Sequence, residues 1–160
     1  MRFRYLLATL MVTSLAIPNA HADLSVTGAT GEKLSIPANT FNKATVVTVT
    51  GSRFDETVGI YLAYCVLPKT GAAPTPCGGG ANKKGIGDAS FWISSNPPPY
   101  GQGLAIAFNP GGRFSEKLLI SKKIGKFDCT KVKCAITVRS DHLHEGDRSH
   151  DLFIPITFKK

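Results

Sequence analysis

Residues 44–51 read ATVVTVTG, and this stretch sets the fold of the 160-residue chain. Val47 and Val49 point to one side of an extended backbone, because successive side chains of a strand face opposite ways. β-branched residues in this two-residue alternation are typical of a strand with one buried face. The stretch therefore predicts a β-strand that packs against a second layer.

The same alternation recurs on both sides of this stretch, whereas helix signals are nearly absent. The segment 57–67 is apolar on both faces, as expected of a central strand. Pro155 faces away from the apolar side chains of the last strand, which predicts a sheet edge there. Further strands are predicted at residues 24–27, 91–94, 104–108, 114–120, 134–139 and 152–158. Seven or eight short strands, with turns such as residues 109–112, predict an all-β sandwich or barrel.

The first 22 residues have the three-part pattern of a signal peptide. Two arginines precede an apolar run at residues 5–17, and Ala20-His21-Ala22 has the small-x-small form that signal peptidase accepts. The run is shorter than the roughly 20 apolar residues that span a bilayer, and no second apolar segment follows it. We therefore expect residues 1–22 to be removed and residues 23–160 to form one secreted, unanchored domain.

The chain is basic, with a formal net charge of +8. Removal of the two N-terminal arginines would leave 8 − 2 = +6, a charge that favours anionic partners. No nucleic-acid-binding motif accompanies the charge, so we expect solvated lysines on turns and strand edges and no direct binding of nucleic acid. These lysines are Lys83, Lys84, Lys117, Lys122, Lys123, Lys126, Lys131 and Lys133.

The four cysteines all follow the signal sequence, which predicts two disulfides formed in an oxidising compartment. Four cysteines allow three connectivities, and spacing does not choose among them. Zinc is disfavoured because Cys65 and Cys77 are too far apart for a zinc knuckle, while Cys129 and Cys134 have no second close pair.

Three motifs resemble the neocarzinostatin family of small secreted actinobacterial proteins. They are TVVTVTG at residues 45–51, Ile60-Tyr61 shortly before Cys65, and Asp128-Cys129-Thr130 followed by Cys134. The resemblance extends from about residue 45 to residue 158. It implies a seven-stranded immunoglobulin-like β-sandwich, with Cys65 paired to Cys77 and Cys129 paired to Cys134.

The resemblance also implies a ligand cleft floored by the Cys65–Cys77 disulfide. Family members that carry an enediyne chromophore have an indole where this chain has Leu67, and a long aromatic ribbon where Phe127 is the sole aromatic residue of the connection. Residues 139–151 look more like a branch of uncharacterised secreted and surface relatives. We therefore expect a family member that does not carry an enediyne.

The segment from Cys77 to Gly103 contains aromatic residues and prolines that suit a recognition loop, because rigid side chains bind at low entropic cost. Trp92 would alternatively fill the core of the sandwich. The candidate ligand-binding residues are Cys65, Leu67, Cys77, Phe91, Trp92 and Tyr100.

Residues 141–151 mix histidines with carboxylates, a combination that suits zinc, copper or nickel. The metal alternative would use His142, His144 and His150, and a haem alternative would add Tyr100 or Tyr64. Their spacing matches no established ligand set, so a charged turn is favoured and no cofactor is expected. That turn network comprises Arg139, Asp141, Asp147, Arg148 and Asp151.

Catalysis is disfavoured. The adjacent Ser149, His150 and Asp151 point to alternate faces of an extended chain, and no nucleophile elbow, phosphate loop or zinc-protease motif occurs. We therefore expect a non-enzymatic, monomeric binding module for a small hydrophobic molecule or a surface or protein partner. The alternatives are a carrier like the enediyne apoproteins, with an antimicrobial or DNA-directed role, and metal or haem binding through residues 141–151.

Overall fold

The computed structural model describes residues 23–78 and 90–159 of the chain. The expected signal peptide and the distal part of the loop after Cys77 lie outside these residues. The strands are β1 (Leu24–Thr27), β2 (Lys33–Ile36), β3 (Thr40–Phe41), β4 (Thr45–Ser52), β5 (Ile60–Val66), β6 (Ser90–Ile93), β7 (Phe114–Ile120), β8 (Lys123–Ile124), β9 (Phe127–Asp128), β10 (Cys134–Ser140) and β11 (Leu152–Phe158). Two single 3-10 turns occupy Pro99–Gly101 and His142–His144, and no described helix is long and apolar enough to cross a bilayer.

Two sheets form the predicted all-β sandwich. One sheet has the order β1-β2-β4-β7 and the other the order β3-β11-β10-β5-β6, while β8 and β9 form a separate hairpin. The alternating residues Val47 and Val49 of β4 are buried as predicted, and Ile136 and Val138 of β10 are fully buried in the same core. Apolar side chains from both inner faces thus fill one core, as a sandwich requires.

The strand prediction is wrong at one place. Residues 104–108 do not form a strand, and only Ile106 pairs, exchanging hydrogen bonds with Trp92 and Ser94 of the β6 segment. The backbone N–H groups of residues 104 and 105 instead donate to the carbonyl of Gly101, so a turn takes them away from a ladder. The described residues form eight strands of four or more residues. Seven of them coincide with predicted strands, and the eighth, β2, was not predicted from the apolar pattern.

Both disulfides implied by the family resemblance are present. Cys65 is bonded to Cys77, and Cys129 is bonded to Cys134. The edge position of Pro155 is also confirmed, since β3 pairs with β11 only at Thr157 and Phe158 and leaves the edge beside Pro155 uncovered. A proline is tolerated there because its missing N–H faces no partner strand.

Glu116 points inward from the edge strand β7, on the face that carries the buried Phe114 and Leu118. Burial raises the pKa of its carboxyl. The folded state therefore holds the proton more tightly than the unfolded state, and stability falls as the pH rises through that range. Such inward charges on edge strands oppose strand-to-strand aggregation.

Glu116→Gln is consequently expected to raise the free energy of unfolding at neutral pH by less than about 1 kcal/mol, because the group is partly solvated. The gain in stability should vanish near pH 3, where the Glu116 carboxyl of the unmodified protein is protonated in both the folded and the unfolded state. Urea titrations at the two pH values measure the difference, with Glu145→Gln, an exposed site, as the control. An equal gain at both pH values would contradict this explanation.

Candidate functional site

A cleft of about 730 Å³ lies on the outer face of the five-stranded sheet. Its floor follows from strand register, since side chains that alternate away from the core on β5, β6 and β10 align in cross-strand rows. From one end to the other the rows are Arg139–Tyr61–Trp92, Thr137–Ala63–Ser90 and Ala135–Cys65–Cys77. Because the middle row consists of small side chains, the floor is concave.

The Cys65–Cys77 disulfide closes one end of the cleft. The segment around Cys77 continues the sheet beyond β6, because Val66 N–H donates to the Pro76 carbonyl (3.0 Å) and Gly78 N–H donates to the Tyr64 carbonyl (2.7 Å). Residues 73–76 then form a wall of alanine, proline and threonine side chains. The disulfide thus supplies both part of the floor and the attachment of this wall.

Trp92 forms the opposite wall. The indole projects from the outer face of β6 and is half-buried, and its N–H donates to the Asp141 carboxylate at 2.9 Å. Tyr100 stacks on the indole with ring centroids 6.4 Å apart and an interplanar angle of 25°. Gly101 lies against the same ring, where an added Cβ would come within 2.4 Å of Trp92. Asp141, Tyr100 and Gly101 together hold the indole in one orientation.

Asp141 is fully buried at the base of this arrangement. Its second carboxylate oxygen accepts the Leu143 N–H at 3.0 Å, so it caps the turn that carries His142. A Cβ on Gly59 would lie 2.0 Å from the Asp141 carboxylate, which explains a glycine beside this group. One carboxylate thus positions both Trp92 and the His142 turn.

His142 bridges two tyrosines at the rim of the cleft. Its Nδ1 lies 2.5 Å from the Tyr61 hydroxyl and its Nε2 lies 2.7 Å from the Tyr100 hydroxyl. Each ring nitrogen of His142 thus faces one tyrosine hydroxyl. Burial and the nearby Asp141 carboxylate raise the pKa of Tyr61, so this hydroxyl keeps its proton. Together with Trp92, these three rings form an aromatic cluster, and each ring comes from a different segment of the chain.

The structure places the candidate ligand-binding residues in three ways. Cys65, Cys77 and Trp92 line the cleft. Phe91 points into the core, with 5% of its surface exposed, and touches the cleft from below. Tyr100 is 61% exposed and backs Trp92, whereas Leu67 follows β5 and is not among the lining residues.

Sequence reasoning missed most of the floor, including its two largest polar side chains, Tyr61 and Arg139. A signal for Tyr61 was present, because it alternates with the inward Ile60 and Leu62 and therefore shares a face with Cys65. Arg139 was assigned to the charged turn instead. The two side chains are neighbours across β5 and β10, and the guanidinium lies 5.5 Å from the Tyr61 ring centroid.

The charged-turn network forms only in part. Arg148 pairs with Asp151 at 3.4 Å, and burial raises the pKa of Asp151 while Arg148 and Arg139 oppose that rise. Asp147 accepts the Ser149 N–H, and hydrogen bonds from Ser149 hold the pKa of Asp147 below its usual value. Arg139 bridges none of the carboxylates within the described residues, which corrects the expectation.

The three histidines of the metal alternative do not converge. His142 bonds the two tyrosines, His144 lies 3.4 Å from Asp141, and His150 lies between Glu32 (3.9 Å) and Asp147 (3.7 Å). Residues 23–78 and 90–159 contain no group of three or more metal-ligating side chains. Tyr64 is buried in the core and cannot reach a haem in the cleft. The described part of the chain therefore does not bring the three histidines together into one ligand set.

Comparison with known proteins bears on the fold. No family model and no curated protein matches the chain. The solved structure of macromomycin is similar, with a TM-score of 0.51 and 13% sequence identity over 81% of this chain and 100% of that one. Macromomycin belongs to the neocarzinostatin family. In fold, then, this chain is a β-sandwich like macromomycin, in agreement with the resemblance of its sequence motifs.

Proposed function

We propose that the protein is a secreted, non-enzymatic binding module whose cleft holds a small hydrophobic molecule. The observation that carries the proposal is the cleft itself, with a disulfide at one end, Trp92 at the other and small side chains between them. Ligand sites in proteins are concave, mostly apolar and roughly 300–1,000 Å³ in volume, with a few polar groups that orient the ligand. The cleft meets each of these criteria.

The side chains around the cleft support binding over catalysis. His142 is the imidazole at the rim, and both of its ring nitrogens are occupied by tyrosine hydroxyls. The Thr137 hydroxyl on the floor lies 3.2 Å from Cys65 Sγ and donates to the Ala63 carbonyl, with no general base beside it among the described residues. A nucleophile needs an adjacent base to be activated.

The proposal is tested by titration with phenylnaphthylamine, a neutral probe that fluoresces in apolar sites. The probe is expected to bind with micromolar affinity, and the rise in its own fluorescence measures the bound fraction in the unmodified protein and in every variant. Trp92→Ala should weaken binding at least about tenfold, since it removes an aromatic wall. Circular dichroism of the variant checks that it remains folded.

The matched control is Val46→Ala. Val46 is 57% exposed and lies beside Leu119 on the outer face of the other sheet, where a hydrophobic probe would bind adventitiously. This variant should bind the probe as the unmodified protein does. A loss of binding in Val46→Ala with none in Trp92→Ala, or no saturable binding at all, would refute the proposed function.

A further inference from the structure

Arg139 is a cation on the floor of the cleft. It projects from the outer face of β10, in the row that continues through Tyr61 to Trp92, and it is half-buried. Its guanidinium packs over the Tyr61 ring at 5.5 Å, a cation–π contact that fixes its position but uses none of its N–H donors. Arginine presents five such donors in a planar fork.

No described residue accepts a hydrogen bond from Arg139 or forms an ion pair with it. The neighbouring carboxylates are engaged elsewhere. Asp141 binds the Trp92 and Leu143 N–H groups, and Asp151 is paired with Arg148. Glu145 stands on the rim of the cleft without an ion pair to Arg139. Within the described residues, the Arg139 guanidinium therefore keeps its N–H donors available to a ligand in the cleft that it lines.

We infer that Arg139 anchors the acidic group of an aromatic acid bound in the cleft, an inference that rests on the proposed function. A carboxylate or sulfonate is matched by the planar fork of the guanidinium, which binds such groups through paired, charge-assisted hydrogen bonds. Trp92 lies in the same row as Arg139, so an aromatic ring beside the indole places its acidic substituent toward the guanidinium. The cleft thus selects for charge as well as for apolar surface.

The test compares two probes with the same ring system. Anilinonaphthalenesulfonate is phenylnaphthylamine with one added sulfonate, and the unmodified protein should bind the anion more tightly than the neutral probe. Arg139→Gln is expected to weaken binding of the anion by about ten- to a hundredfold while leaving the neutral probe within about twofold. Arg139→Lys should restore part of the preference, because it keeps the charge but loses the fork.

Lys133→Gln is the charge-matched control. Lys133 is exposed and precedes Arg139 by six residues on the same chain segment, about 20 Å away along the strand, beyond the screening length in physiological salt. Its removal should leave the preference for the anion unchanged. A preference that survives in Arg139→Gln, or is lost in Lys133→Gln, would overturn the inference.

The two proposals fail differently. If the unmodified protein binds the neutral probe in the cleft but shows no preference for the sulfonate, the anion site is refuted and the proposed function stands. If the affinities for the neutral probe and for the sulfonate fall equally in Arg139→Gln, the arginine contributes only apolar contacts of its methylene groups, and the inference is also overturned. If neither probe binds, both proposals are wrong.

Discussion

Replacement of Cys65 and Cys77 by alanine is expected to abolish probe binding in the cleft and to lower the free energy of unfolding by about 3 kcal/mol. The stability loss follows from the chain entropy that the bond removes from the unfolded state, given a sequence separation of 12. The binding loss has a separate cause. Without the bond, the wall at residues 73–76 keeps only backbone hydrogen bonds to β5, and the floor of the cleft loses two sulfur atoms.

The matched control is the double alanine variant of Cys129 and Cys134. This bond closes a shorter loop, with a separation of 5, and should cost about 2 kcal/mol on the same entropic argument. It is not among the residues that line the cleft, so probe affinity should be retained at temperatures where the variant is folded. Chemical denaturation and phenylnaphthylamine titration measure the two effects separately. Retention of full affinity without Cys65 and Cys77 would show that the disulfide is not needed for the site.

Asp141→Ala is expected to destabilise the protein by about 2–4 kcal/mol and to release Trp92 from its orientation. The substitution leaves the half-buried indole N–H without its acceptor and removes the cap from the turn that carries His142. A buried donor without a partner costs about 1–3 kcal/mol, and a lost cap adds about 1. The emission of Trp92 should shift to longer wavelength as water reaches the ring, and probe affinity should fall with it.

Asp128→Ala provides the comparison for this prediction. Asp128 accepts the Thr130 N–H and hydroxyl in a turn of the same kind, but it is partly exposed, whereas Asp141 is fully buried, and it lies in the hairpin outside the cleft lining. Its replacement should have a much smaller effect on unfolding and none on Trp92 emission. Equal losses in the two variants would mean that Asp141 acts only as a turn residue.

The alternation of apolar residues predicted most of the sandwich because it is a local property. Val47, Val49, Ile136 and Val138 needed only the two-residue period of an extended chain to be assigned to a buried face. The pattern was uninformative for Trp92, since Phe91 and Ile93 flank it and both faces of that strand are apolar. The structure turns Phe91 and Ile93 inward and Trp92 outward, toward the cleft.

For Arg139, the sequence suggested contacts that the structure does not form. Its position near several aspartates in the sequence suggested ion pairs, but strand register sets it beside Tyr61, while Arg148 takes Asp151. The wrong strand prediction at residues 104–108 has a similar cause. The Gly101 carbonyl accepts the N–H groups of residues 104 and 105 in a turn, and the alternation of apolar residues does not predict such a turn.

The sequence by itself determined the class of fold, because strand periodicity depends only on neighbouring residues. It also determined that the cysteines form disulfides, because their number and their position after the signal sequence can be read directly. Only the tertiary structure decided the site. Tyr61 and His142 are 81 positions apart, and Trp92 and Asp141 are 49 apart, yet each pair is hydrogen-bonded. Such contacts depend on the register of three strands and the path of two loops, and no local pattern encodes the free energy that selects among registers and paths.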